Sequence, residues 1–344
     1  MTDGVFVRRT FILVSIVALF ALAWMLRDVV LMVFGAVVIA TLFTSLAAVF
    51  QRFRIPQGVS LFLAVLTVLL VVAICVTLFG AQLVGQYEQI RETLPRAWAT
   101  IQQRLAGFGL SGQLEQLTKG GQGSGFAATA GQFAMSLGGA VADALLIVVG
   151  GIFLAASPRF YRTGFIKLVP GSRRALTADA LSDSGTALKL WLKAQLITMA
   201  AVGTATGLGL WLVGADNALA FGLLAALLEF IPFIGPILAA IPAVLIAAAV
   251  DPSLAIWVAG VYFVVQQLEG YLFSPLLQQW AVELPGAVLL FSLLAMGSLF
   301  GPLGIVFAAP LTVVIFVLVK RLYVREALDT DTPIPGEDQS GETG

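Results

Sequence analysis

Two glutamates stand where carboxylates are costly. Glu229 lies inside the apolar run 226–250, ALLEFIPFIGPILAAIPAVLIAAAV, and Glu269 lies near the end of a second run, 254–276. A charged side chain at the centre of a bilayer costs about 3 kcal/mol or more on insertion scales, so a carboxyl there implies a purpose or a partner. A carboxyl taken out of water can exchange protons near neutral pH, which makes both glutamates candidates for coupling or gating. Gln266 and Glu269 are three apart and share a helical face, with Gln267 beside them. A face carrying amides and a carboxyl should meet another helix or a water-filled cavity rather than lipid. The bland alternative is a carboxyl that stays neutral or bonds backbone groups freed nearby. Asp143 is an outlying third carboxyl, while Asp216, Asp251 and Glu283 sit at expected helix ends and read as interfacial caps.

The elements that position these groups are broken. Pro232, Gly235 and Pro236 interrupt the first run, because proline removes a backbone donor and clashes with the preceding turn. The flanking arms, 218–231 and 237–250, are each about 21 Å long as helices, short of a hydrocarbon core of about 30 Å. A re-entrant hairpin and a pair of tilted, protein-buried helices both fit. Gly301 and Pro302 interrupt a second run, 286–319, in a loosely similar plan, although Pro236–Pro242 and Pro302–Pro310 differ in spacing. Non-helical backbone beside a buried charge is how transport pathways are lined.

Composition sets the class. The chain has 344 residues, 59% hydrophobic and 11% charged, against about 25% charged in soluble domains. Apolar runs long enough to cross a bilayer recur from end to end, so the expected fold is all-α and polytopic, with two Pro/Gly-broken helical hairpins. There is no histidine, which removes the commonest metal ligand and every triad of the Ser-His type. The single cysteine, Cys75, allows no intrachain disulfide. No phosphate-cradling Gly-Lys-Ser/Thr motif and no basic, aromatic-studded domain occurs, which argues against ATP hydrolysis and nucleic-acid binding. No catalytic residue, metal or cofactor is expected.

In order, 1–84 reads as N-terminal membrane helices. Arg8, Arg9 and the apolar run 11–26 could mimic a signal peptide, but a second run, 29–50, follows after only Arg27 and Asp28 and favours a hairpin. Residues 85–136 form an extracytoplasmic amphipathic segment, with Leu94, Trp98, Ile101, Leu105 and Phe108 on one helical face. It would lie on the membrane surface or pack on the protein's own helices. A membrane helix at 137–156 leads to a basic cytosolic loop, 157–190, whose end, 178–190, could form a short helix running into the span 191–213. The C-terminal membrane core, 191–326, holds both broken hairpins, and 327–344 is expected to be a disordered acidic tail. Lys189 and Lys193 would snorkel at the entry to the core.

With both termini in the cytosol, the inside carries Arg8, Arg9, Arg52, Arg54, the run of basic residues from Arg159 to Lys193, and Lys320, Arg321 and Arg325. Only Arg27, Arg91, Arg96, Arg104 and Lys119 fall outside, and the positive-inside bias selects this orientation.

The stretches LLEFIPFIGPILAAIPAVL (227–245), QQLEGYLFSPLL (266–277) and LFGPLGIVFAAPL (299–311) resemble the autoinducer-2 exporter family of membrane permeases. FIKLVPGSRR (165–174), LKLWLKAQLITM (188–199) and FGAVVIATLFTSLAAVF (34–50) are similar too, so the resemblance spans nearly the whole chain. Ala194 stands where the family usually has glycine. The resemblance implies a homo-oligomeric inner-membrane permease for a small molecule or ion, exporting an autoinducer-2-like molecule or exchanging sodium for protons. From another class, a non-transporting scaffold or assembly factor would use 85–135 as its partner surface.

Overall fold

The computed structural model describes residues 21, 22, 24–85, 125–273, 282 and 284–335, and among them all regular structure is helical. Helices α1 (Arg27–Gln51) and α2 (Gln57–Gly85) cover the second and third apolar runs. The turn between them holds Arg54 in the left-handed region, φ 62°. Helix α3 (Gly125–Ala156) begins within the stretch expected to be an extracytoplasmic amphipathic segment. The remainder of that stretch, 86–124, lies outside the described residues, as do Arg8, Arg9 and Glu283.

The basic segment 157–190 is helical beyond the short helix expected over 178–190. At Ser157 the chain bends by 90° into α4 (Pro158–Lys167), and α5 (Arg174–Leu212) then runs unbroken for 39 residues. Its first half looks soluble by charge, yet Ala180, Ser184, Ala187, Leu188 and Trp191 recur at helical spacing and are buried, while Lys189 and Lys193 are exposed. At 1.5 Å per residue α5 is about 58 Å long, so it extends well beyond a hydrocarbon core of about 30 Å.

Helices α6 (Ala218–Leu228), α7 (Ile234–Val250) and α8 (Pro252–Leu268) follow, the last passing into a π-turn at Glu269–Phe273. Asp251 caps α8, its carboxylate accepting from Ser253 N at 3.0 Å. As helices, α6 and α7 are about 16 and 25 Å long, and neither spans alone. Helix α9 (Gly286–Leu318) contains one non-helical residue, Gly301 at φ 63° and ψ −147°. Eight residues of straight helix separate two groups by about 12 Å. A Cβ on Gly304 would nevertheless overlap the Met296 carbonyl, so the chain reverses sharply at Gly301. Gly235 stands in the same relation to the Leu228 carbonyl across the first break. Both breaks are tight hairpins closed by a glycine on backbone.

Among the described residues, four stretches are long and apolar enough to cross a membrane: Arg27–Gln51, Gln57–Leu78, Gly171–Leu212 and Gly286–Arg325, the last containing the Gly301 reversal. A fifth forms if Val141–Ala156 and α4 are one broken span. Packing relies on small residues, as it does where lipid offers no hydrophobic drive. Gly203 and Gly207 of α5 admit Gly222 and Ala226 of α6, and Gly209 meets Val261 of α8. One core cluster joins α1, α3, α5 and α9 through Val38, Ile147, Leu192 and Val313. A second joins the end of α5 to α6, α7 and α8 through Leu210, Phe221, Ala243 and Val258.

The expected disordered tail is packed as far as residue 335. Ile334 is 3% exposed in the first cluster, Lys320 Nζ donates to the Pro333 carbonyl at 3.1 Å, and Arg325 Nε donates to the Thr332 carbonyl at 2.8 Å. One isoleucine in an acidic, proline-containing stretch supplies the apolar anchor that composition hid. Residues 336–344 lie outside the described residues.

Candidate functional site

The site starts from what the first break does to the backbone. Helix α6 ends at Leu228, and the Glu229 carbonyl has no helical successor because the chain turns away. Gln195, on the facing side of α5, donates its amide to that carbonyl at 2.7 Å. One helical turn earlier, Trp191 meets Phe230 edge-on, with centroids 5.9 Å apart. Beyond Pro232 the turn is held by a bond from Ile234 N to the Pro232 carbonyl at 2.8 Å, with Phe233 at φ 65° and ψ −43°. This is a γ-turn of the rare, strained hand, in a residue with a bulky side chain. Gly235 then bonds the Ile231 carbonyl and admits the Leu228 backbone.

Two anchored sides thus fix the Glu229 backbone, and its side chain turns inward, 1% exposed. There it meets the Glu269 carboxyl, from the point where α8 passes into its π-turn. π-Turns inside α-helices occur mostly at functional sites. Gln266 Nε2 donates to Glu269 Oε2 at 2.6 Å, as the shared face requires. Glu229 Oε2 has no nitrogen or hydroxyl donor. Two ionised carboxylates in contact repel, whereas one proton between them supplies the missing donor and makes the contact attractive. The arrangement can therefore hold a proton, and losing it destabilises the closed geometry.

Of the residues expected at the site, the structure brings together Glu229, Glu269 and Gln266. Gln267 is exposed on the other side of α8. Pro232, Gly235 and Pro236 shape the first hairpin. Gly301 and Pro302 shape the second, which approaches by apolar packing: Phe300 and Leu303 rest on the cluster that Phe230 also touches. Asp143, half-buried on α3, takes no part in the carboxyl pair. Gln195 is the residue that sequence reasoning missed. Its signal was an amide on the buried face of α5, four residues from Trp191. Among the described residues no group of three ligating side chains gathers for a metal.

Residues 13–323 match the family model described as AI-2E family transporter. The chain belongs to that family. It is a multi-pass membrane protein of a transport family. YhhT of Escherichia coli K12 is 25% identical over 306 residues, 87% of this chain and 86% of that protein. YrrI of Bacillus subtilis is 30% identical over 151 residues, 44% of this chain and 43% of that protein. TqsA of Escherichia coli K12, named as an AI-2 transport protein, is 31% identical over 131 residues, 37% of this chain and 38% of that protein. The matches to YrrI and TqsA thus span less than half of each protein. YhhT and YrrI are named for transport without a solute.

Proposed function

We propose that this protein is an inner-membrane secondary transporter that exports a small solute, coupled to an ion gradient, with both termini in the cytosol. The observation that carries the reading is the contact of Glu229 and Glu269, one on a strained hairpin break and the other at a π-turn. A carboxyl pair that closes with a proton and opens without one is a coupling element, because proton loss converts attraction into repulsion between the hairpin break and the π-turn. The proposed solute is an autoinducer-2-like signalling molecule, on the resemblance and on the name of TqsA. Homo-oligomeric assembly belongs to the same proposal and rests on the resemblance alone.

Sodium/proton antiport is the second reading, favoured by the same pair, since a site built of carboxyl and amide oxygens could exchange a proton for a hard cation. Vesicles reconstituted with the protein separate the two. Export predicts uptake of labelled solute driven by a pH gradient, whereas antiport predicts sodium-dependent dye recovery without solute. Absence of both above protein-free vesicles overturns the transport reading.

A further inference from the structure

Helix α4 is covered on one side only. Arg162 donates to the Ala178 carbonyl of α5 at 2.9 Å, and Ile166, one turn on, is the one half-buried residue of the helix. Those two residues mark the side toward α5. Phe160, Gly164 and Leu168 recur at four-residue spacing on another side, with Tyr161 and Phe165 beside them, an apolar arc of about 140°. This arc is open: Phe160 is 75% and Leu168 84% exposed. Arg159 and Lys167 occupy the third side, next to Phe160.

The bend at Ser157 lays this helix along the membrane surface. Leu145, Val149 and Phe153 give α3 an exposed apolar face that reaches to one turn before the bend, and α4 leaves at 90°. Ile147 of α3 and Leu188 of α5 belong to one core cluster. Ala156 lies nine residues beyond the first and Ala178 ten before the second, about 14 and 15 Å along their helices. Helix α4 is joined to the one end and bonded to the other, so it lies flat where α3 leaves the hydrocarbon.

Charge names the partner. No acidic residue occurs between Asp143 and Asp179, a segment that carries Arg159, Arg162, Lys167, Arg173 and Arg174. Arg162 is engaged with α5, and Arg174 closes the turn after α4 by donating to the Val169 and Lys167 carbonyls at 3.0 and 3.2 Å. Arg159, Lys167 and Arg173 stay exposed, with no counter-charge in their own segment. A helix standing in water has no use for an outward arc of Phe160, Phe165 and Leu168. A spanning helix has none for three cations in ten residues, and at about 15 Å this one is too short to span. A helix lying in the interface uses both, because its apolar side enters the acyl boundary while long basic side chains reach the phosphates.

We propose that α4 docks on the membrane surface through its apolar arc and that Arg159, Lys167 and Arg173 gather anionic phospholipids around it. Anionic headgroups are selected because a zwitterionic one offers no net charge to a cluster of cations. Docked in this way, α4 holds the end of α3 and the start of α5 at one depth.

Gly164 offers a probe site on the arc. A Cβ there meets nothing within 4 Å, so Gly164→Cys in a Cys75→Ala background accepts a nitrobenzoxadiazole fluorophore without displacing a neighbour. The full-length protein is reconstituted in vesicles of phosphatidylcholine with a minority of phosphatidylglycerol. A doxyl quencher near the headgroup is carried on one lipid or the other at equal mole fraction. Both lipids should quench the probe, the phosphatidylglycerol at least twofold more strongly, and Arg159→Gln/Lys167→Gln/Arg173→Gln should bring that ratio to near one. All three side chains are exposed, so the substitutions leave the packed core untouched. Equal quenching by the two lipids, or a ratio that the triple substitution leaves unchanged, overturns the recognition of anionic lipid. Quenching by aqueous iodide and by neither lipid places the helix in water. Quenching by none of the three means that protein covers the arc, as a second copy would; either result overturns the docking. None of these readouts measures flux, so the proposal stands or falls apart from the transport reading.

Discussion

The carboxyl of Glu229, at the break after α6, meets the carboxyl of Glu269, at the end of α8, and Gln266 holds the second from within its own helix. Removing Glu269 altogether leaves Glu229 Oε2 buried with nothing to supply a donor. Glu269→Ala should therefore lower stability by about 1–3 kcal/mol, whereas Glu269→Gln brings an amide donor and should cost less than about 1 kcal/mol. Thermal unfolding in detergent compares the two; equal losses would mean that the contact does not form.

The two hairpins depend on glycine for space. A Cβ at Gly235 would overlap the Leu228 carbonyl, and one at Gly304 the Met296 carbonyl, and backbone cannot swing aside as a flexible side chain can. Gly235→Ala and Gly304→Ala should each cost about 3 kcal/mol or fail to yield folded protein. Gly260→Ala on α8 meets nothing within 4 Å and should be neutral or slightly stabilising. Monodispersity and unfolding temperature after solubilisation decide between these outcomes.

Gln195 supports the break from outside. Gln195→Leu keeps the bulk but strands the Glu229 carbonyl, at a cost of about 1–3 kcal/mol. Because the loss is local, hydrogen exchange in 229–235 should rise more than exchange in α1. Unchanged protection there would show that another group takes over the carbonyl.

The packed C-terminal segment makes a similarly specific claim. Ile334→Ala removes a side chain 3% exposed in the main cluster and should cost about 2 kcal/mol or more. Leu328→Ala, at a residue 53% exposed, should change stability by less than about 0.5 kcal/mol. Unfolding midpoints of the two variants test whether the segment is anchored.

Much of this was legible because proline and glycine act locally. Pro232, Gly235, Gly301 and Pro302 announce breaks in any apolar run, and the Gln266–Glu269 bond follows from helical spacing alone. Glu269 stood as a candidate partner for Glu229, but their contact depends on how the first hairpin packs against α8, which spacing alone does not show. Charge hid part of 157–190: the helix over 178–190 was readable, whereas the basic residues from Arg159 to Arg174 concealed α4 and the start of α5. Gln195 was hidden for the opposite reason. A single amide in an apolar helix looks like any other until the carbonyl it serves comes into view.

The most direct test of the central claim is gradient-driven flux through reconstituted Glu269→Gln protein. The variant keeps the size and hydrogen bonding of the side chain and removes only its ability to lose a proton. The account predicts normal membrane insertion and unfolding temperature with flux reduced at least tenfold, to near that of protein-free vesicles. Unchanged flux in a correctly inserted Glu269→Gln protein would contradict it and leave the carboxyl pair a structural contact.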